Sequence, residues 1–229
     1  MAFNFNELVK QYYKNAQGDT YPRLRGWEFL WDHIYEHDEW AGLISRESSE
    51  KTALHLGFYL ANWGMFRGSS GLLNTNLDFF KDLADYLFRE ISIEFWELEF
   101  SDFHPDFTQK HKSSSELFED AIRQIESFKS ERVTWTETLK SKILLGLWGQ
   151  CPALDTFYSQ GLGLFLAEKP HIKIAPKGKI NAKSLSFLNV VSVEQKWKLS
   201  GFSTHYGKNK YPPGKVIDMA FFQYGMNNA

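Results

Sequence analysis

Two imidazoles and a carboxylate fall within five residues at His33-Ile34-Tyr35-Glu36-His37. On a helix, positions four apart share one face, so both histidines would reach one metal ion while Glu36 polarises its bound water, as in a zinc hydrolase. A third protein ligand is needed, and no downstream pattern supplies it. Both histidines also point away from the apolar stripe Trp27, Leu30, Trp31 and Ile34, which places them in solvent. The expectation is no metal and no cofactor, with a zinc hydrolase built on His33, Glu36 and His37 as the lesser alternative.

A second set, His55, Tyr59 and Asn62, lines up at spacings of four and three on an otherwise apolar segment. Buried polar tips need partners, so these residues form either a core hydrogen-bond network or the wall of a pocket. Directly after them comes Trp63-Gly64-Met65-Phe66-Arg67-Gly68-Ser69-Ser70. Backbone approaches a ligand closely at glycine, and the Arg67 guanidinium with the Ser69 and Ser70 hydroxyls suits a phosphate or a base edge. A helix C-terminal stop explains the same residues.

The third constellation is Leu139 to Tyr158. Lys140-Ser141-Lys142 opens an apolar helix that runs to Trp148, a tight Gly149-Gln150-Cys151-Pro152 connection follows, and a second helix carries Asp155 in its first turn. This stretch resembles the catalytic segment of the helix-hairpin-helix DNA glycosylase superfamily, where a helix, a short loop and a Pro/Ala-x-Val-Asp-Thr-His entry deliver the catalytic aspartate. Pro152-Ala153-Leu154-Asp155-Thr156 stands in that place, and Gly161-Leu162-Gly163 falls where such proteins often carry Arg-Leu-Gly. Taken generously, the resemblance spans residues 53–165. The chain departs from the family in three places: Arg132-Val133-Thr134-Trp135-Thr136 replaces the Leu-Pro-Gly-x-Gly hairpin, the lyase lysine falls near Thr138, and Phe157 replaces the histidine. The Trp63 to Ser70 and Gly149 to Asp155 strings also resemble an uncharacterised bacterial helical family, which brings no activity with it.

The glycosylase resemblance implies a monofunctional enzyme that excises a modified base, in repair or phage defence, with Asp155 as the catalytic residue. It implies a base pocket of Trp63, Arg67, Trp148 and Tyr158, with His55, Tyr59 and Asn62. Ser69, Ser70, Lys140, Lys142, Gln150, Lys173, Lys177, Lys179 and Lys183 would contact nucleic acid, DNA rather than RNA. Physical chemistry gives Asp155 a case of its own. A helix N-terminus favours negative charge, and a carboxylate in a confined site stabilises an oxocarbenium-like sugar as the base departs. The target nucleotide must first leave the stack, and aromatic walls suit a flipped base. Aspartate is equally common at helix starts for stability alone. The reading from another class is a noncatalytic nucleic-acid or protein-binding module, for which the lysines matter and Asp155 does not.

Amphipathic helices are expected to position these groups. Phe5, Leu8, Val9, Tyr12 and Tyr13 recur at helical spacing, as do Trp27 to Ile34 and Leu77 to Phe88, and Thr52 to Phe66 is apolar nearly all round. Ser113 with Glu116 and Thr134 with Glu137 read as capping boxes, and Pro152 suits a first helical position. Ile91 to Phe100 reads as a short strand or a helix continued. Further helices are expected near Ser184 to Leu199 and Lys215 to Tyr224. The sum is one mainly α domain over residues 1–229, a helical bundle that is glycosylase-like on the resemblance, with a basic irregular loop at about 168–184.

Composition bounds the rest. Hydrophobic residues make up 43% of the chain and aromatics 17%, enough apolar surface for a sizeable core. The lone Cys151 has no disulfide partner, and residues 1–14 lack the basic and apolar regions of a secretory signal, so a cytoplasmic setting is expected. The apolar run at 53–66 is shorter than the roughly 20 residues a bilayer span needs, so no membrane partner is expected. Net charge is −2, yet ten lysines and one acid, Glu194, lie between Lys169 and Lys215. Such asymmetry suits a polyanionic partner, or a solvated loop that balances the acidic remainder. Oligomeric state is not legible in the sequence.

Overall fold

The computed structural model describes residues 2–36, 43, 46–67, 70–106, 108–170, 172 and 178–229, with residues 46–47 and 108–112 described as backbone only. The described residues form ten helices in chain order: α1 (Phe5–Gly18), α2 (Leu24–Ile34), α3 (Arg46–Asn62), α4 (Leu77–Glu90), α5 (Ile93–Trp96), α6 (Thr108–Ser127), α7 (Glu137–Leu147), α8 (Thr156–Glu168), α9 (Ala182–Glu194) and α10 (Pro213–Asn227). Short polar side chains set many of the starts. Asn4, Asn76, Thr136, Asp155 and Asn181 each accept a hydrogen bond from the N–H three residues on, satisfying a donor that a helix start leaves free. α10 instead begins on Pro213, whose missing N–H costs nothing there.

The chain is mainly α, as the periodicity requires, but four local readings change. Ile91 to Phe100 holds α5, capped by Ser92, and leads into a 3-10 turn at Phe100–Phe103 rather than forming a strand. Ser113 lies inside α6, because the helix has already started at Thr108. Thr136, not Thr134, caps α7. Pro152 stays outside α8, whose cap is Asp155. Among the described residues the only strand-like pairing is a single bridge, Ser203 to Lys210.

α7 and α10 lie innermost. Every residue of α7 from Leu139 to Leu147 is buried, as is nearly all of α10 from Gly214 to Gly225. α10 packs along α8 and α1, while α7 packs on α2 and α3. Two glycines set the α8/α10 spacing: a Cβ at Gly161 would fall 2.0 Å from the Phe221 carbonyl oxygen, and one at Gly225 2.0 Å from that of Phe157. The α7–α8 connection is fixed as closely. Gly149 takes a left-handed φ of 76°, and a Cβ there would strike Trp31 and Pro212 at 2.5 Å. One apolar core runs from Phe5 to Tyr224. No helix among the described residues is long and apolar enough to cross a membrane.

Candidate functional site

Three elements bring charge into the centre of this core. Lys142 on α7 lies 3.3 Å from an Asp155 carboxylate oxygen at the head of α8, and Lys215 lies 2.8 Å from Asp218 one turn along α10. Between the two ammonium groups stands Trp63, just past the end of α3. Lys142 Nζ is 5.0 Å and Lys215 Nζ 5.1 Å from its ring centre, so both cations face one indole. Lys215 also approaches the rings of Trp27 and Tyr12, at 5.3 and 5.6 Å. The side chains of Lys142, Lys215 and Asp218 are at most 4% exposed, whereas that of Asp155 is 16% exposed. Asp155 is therefore the most exposed of the four charged groups.

The Pro152–Asp155 segment is held from both sides. Ser141 of α7 accepts the Leu154 N–H at 2.8 Å, and Thr138 donates to the Leu154 carbonyl at 2.8 Å. From α10, Asp218 accepts the Ala153 N–H at 3.2 Å. Asp155 spends one oxygen capping α8 through the Tyr158 N–H at 2.9 Å and the other on Lys142. Its position is thus tied to both α7 and α10. At 3.3 Å the Lys142 contact is longer than the 2.7–2.9 Å usual for a charge-assisted hydrogen bond, so it is the looser of the two pairs.

Around these charges lie Tyr12, Tyr59 and Tyr158, each with its hydroxyl pKa raised, first by burial and then by nearby carboxylates that include both Asp218 and Asp155. Arg23 opposes the shift at Tyr12. Burial, followed by Asp218, pushes the Cys151 thiol up as well, which makes it an inert core group rather than a nucleophile. The Trp63 indole N–H is buried and finds no acceptor among the described residues. Half-buried Trp63, Phe222 and Phe157 form an edge-to-face row, with ring centres 5.6 and 5.2 Å apart, at the same end of α8 as Asp155. Removing ion pairs from water is costly, and apolar replacements are often at least as stable, so two such pairs on one indole make this centre the candidate site.

The structure brings together only part of the set expected from sequence. Trp63, Asp155, Tyr59 and Tyr158 belong to the centre, though the two tyrosines are 1% exposed and line no open wall. Arg67 is exposed, and its guanidinium folds over Gly64, where a Cβ would lie 2.8 Å away. Asn62 packs on Gly26, and His55 sits between Phe29 and His33 with its pKa lowered, chiefly by burial. Trp148 is a correction. It is fully buried among Phe95, Phe103 and Phe118 and donates to the Leu98 carbonyl, so it belongs to the core on the far side of α7.

Among the expected nucleic-acid contacts, Lys140 and Lys142 are buried, not on the surface. Glu126 and Glu137 hold Lys140, and Asp155 holds Lys142, because both lysines lie on the innermost helix. Ser70 is buried too and donates to the Met65 carbonyl. Gln150 accepts from the Phe100 N–H at 3.2 Å. Lys179 and Lys183 are exposed, while Ser69, Lys173 and Lys177 lie outside the described residues.

The zinc pattern does not form as expected. α2 ends at Ile34, so Glu36 leaves the helix and pairs with Lys208, and His37 lies outside the described residues. His33 is buried rather than solvent-facing, 2.9 Å from the Thr52 hydroxyl. No group of three metal-ligating side chains occurs among the described residues.

Periodicity places Tyr12 on the apolar stripe of α1 and Lys215 at a helix start, but it marks neither of them, nor Asp218, as a site residue. For the α10 pair a signal exists: a lysine and an aspartate three apart at the head of the otherwise largely apolar stretch Lys215 to Tyr224. Comparison of the chain with protein-family models, curated proteins and solved structures finds no match.

Proposed function

We propose that the chain hydrolyses an N-glycosidic bond in DNA, releasing a base, with Asp155 as the essential carboxylate. The observation that carries this reading is the placement of Asp155 at the head of α8, tied down by α7 and α10 yet the most exposed member of the charged centre. As the bond to the base stretches, positive charge develops on the sugar. A fixed carboxylate beside it stabilises that charge, the base departs with the electron pair of the broken bond, and water adds to the sugar carbon while its proton passes to the released base. Lys142 is the resting counter-ion, and its long contact lets the sugar cation take its place. The Trp63, Phe222 and Phe157 row offers faces and edges to an extruded base. None of Tyr12, Tyr59 and Tyr158 is poised to lose a proton, and Lys142 is already paired, which favours simple hydrolysis over a covalent amine route.

Asp155→Asn is the decisive variant, because asparagine caps a helix as well as aspartate does but carries no charge. Purified wild type is expected to create alkali-labile abasic sites in oligonucleotides carrying deaminated, oxidised or alkylated bases, and Asp155→Asn to create none while binding the same strands equally well. Undiminished base release by that variant removes Asp155 from the chemistry.

One observation favours a second reading. Each oxygen of Asp155 and Asp218 already has an internal partner, as a purely architectural pair of ion pairs would require. On that reading the chain is a noncatalytic nucleic-acid-binding module, and wild type binds strands without forming abasic sites.

A further inference from the structure

The Trp63 indole N–H is a buried donor that meets no acceptor among the described residues. Folded proteins pair the great majority of their buried N–H groups, so an unpaired one inside a candidate site points to a bond made only with a ligand. Four other tryptophans show what this fold does with an indole N–H. Trp27, Trp31, Trp135 and Trp148 donate to the carbonyls of Leu145, Lys210, Phe128 and Leu98, at 3.0 to 3.2 Å. Trp63 also differs from the three most enclosed of these in being half-buried, so part of its ring reaches the surface.

Two cations act on this ring. Lys142 and Lys215 hold their ammonium groups 5.0 and 5.1 Å from its centre, and each is kept there by its own aspartate. A cation beside an aromatic face draws π-electron density toward itself, which leaves the indole nitrogen more positive and its N–H a stronger donor. The carboxylate oxygens of Asp155 and Asp218 already accept other bonds, so the acceptor comes from outside the chain. Through Lys142, the indole stands one side chain away from Asp155.

Electron flow defines which ligand atom needs such a donor. When the bond from sugar to base breaks, its electron pair stays with the base, and a carbonyl next to the ring nitrogen gathers the negative charge on oxygen. A polarised N–H at that oxygen does what an oxyanion-hole donor does. An alkylated base that is already cationic departs neutral, so the same donor gives it nothing.

We propose that Trp63 donates its indole N–H to the carbonyl oxygen of the departing base, a role that rests on the base-release reading and selects neutral carbonyl-bearing bases over cationic alkylated ones. Trp63 keeps its proton throughout. The proton that neutralises the released base comes from the attacking water.

Two measurements test this. The first needs no turnover: in a proton–nitrogen correlation spectrum of protein labelled at its eight tryptophans, the Trp63 indole signal should move when free uracil or hypoxanthine is added. Its assignment comes from the signal lost in Trp63→Phe, checked for fold by circular dichroism, or in Trp63→Tyr if the phenylalanine variant does not fold. The second compares release of uracil and of 7-methylguanine from otherwise identical oligonucleotides. Loss of the donor should slow uracil release about a hundred-fold and 7-methylguanine release by less than about two-fold, whereas a merely structural defect slows both alike. Equal slowing of the two bases, or an indole signal that responds to neither uracil nor hypoxanthine, overturns the proposal. Failure of the catalytic reading looks different: wild type releases no base, and the indole signal alone then decides whether Trp63 holds one.

Discussion

In the buried centre the four charged side chains are satisfied by internal partners, whereas the Trp63 indole N–H has none among the described residues, and burial sets the chemistry of the tyrosines around them. Tyr12, Tyr59, Tyr158 and Tyr211 are all raised, burial being the first cause, and Tyr35 and Tyr224 are pushed up to about 12. A phenol with a raised folded pKa gives stability that is complete below the unfolded value of about 10 and is lost as pH climbs through the folded values, because the unfolded chain ionises first. Melting temperature should therefore fall steadily above about pH 10. In an ultraviolet titration of the native protein, the buried Tyr12, Tyr59, Tyr158, Tyr211 and Tyr224, five of the ten tyrosines, should ionise late, together with unfolding. All ten titrating near pH 10 in the folded state would contradict the burial on which the centre depends.

At the scale of elements, glycine decides where helices touch. Gly161 and Gly163 are two residues apart on α8, yet a Cβ at the first would run into the backbone of α10, and one at the second meets nothing within 4 Å. Gly161→Ala should cost at least the roughly 1–3 kcal/mol of an overpacked contact, while Gly163→Ala should be neutral or stabilise by about 0.5 kcal/mol through helix propensity. Urea denaturation of the two variants separates these outcomes, and equal midpoints would refute the close crossing. The crossing matters to the site because α10 carries Lys215 and Asp218, and Asp218 in turn holds the turn that ends in Asp155. A shift of α10 would move the carboxylate.

Over the whole molecule, one core links the first helix to the last, with Phe3 and Phe5 packed on Trp197, Phe165 and Phe221. With α1 and α10 in one core, neither helix can leave without exposing the other's apolar face. Calorimetry should accordingly show one transition whose calorimetric and van't Hoff enthalpies agree. Two resolved transitions would divide the chain into separate units. Charge is also settled at this scale: Glu119 and Glu137 accept the backbone N–H groups of Ala182 and Ile180, so the acidic remainder directly holds one end of the lysine-rich segment.

The helical character of the chain was legible because 3.6-residue periodicity is a local property, and the stripes in α1, α2 and α4 needed no tertiary information to be read. Asp155 at a helix start was legible for the same reason, since Pro152-Ala153-Leu154-Asp155 encodes a turn and a cap within a few residues. Sequence alone did not decide which lysines reach solvent. Lys140 and Lys142 look like surface cations beside Ser141, yet α7 is enclosed on all sides, and only packing turns them into partners for Glu126, Glu137 and Asp155. The meeting of Trp63, Asp155 and Lys215 from three distant segments likewise comes from helix crossings. Periodicity sets which face of a helix is apolar; the close approach of neighbouring helices sets which of its polar groups meet one another.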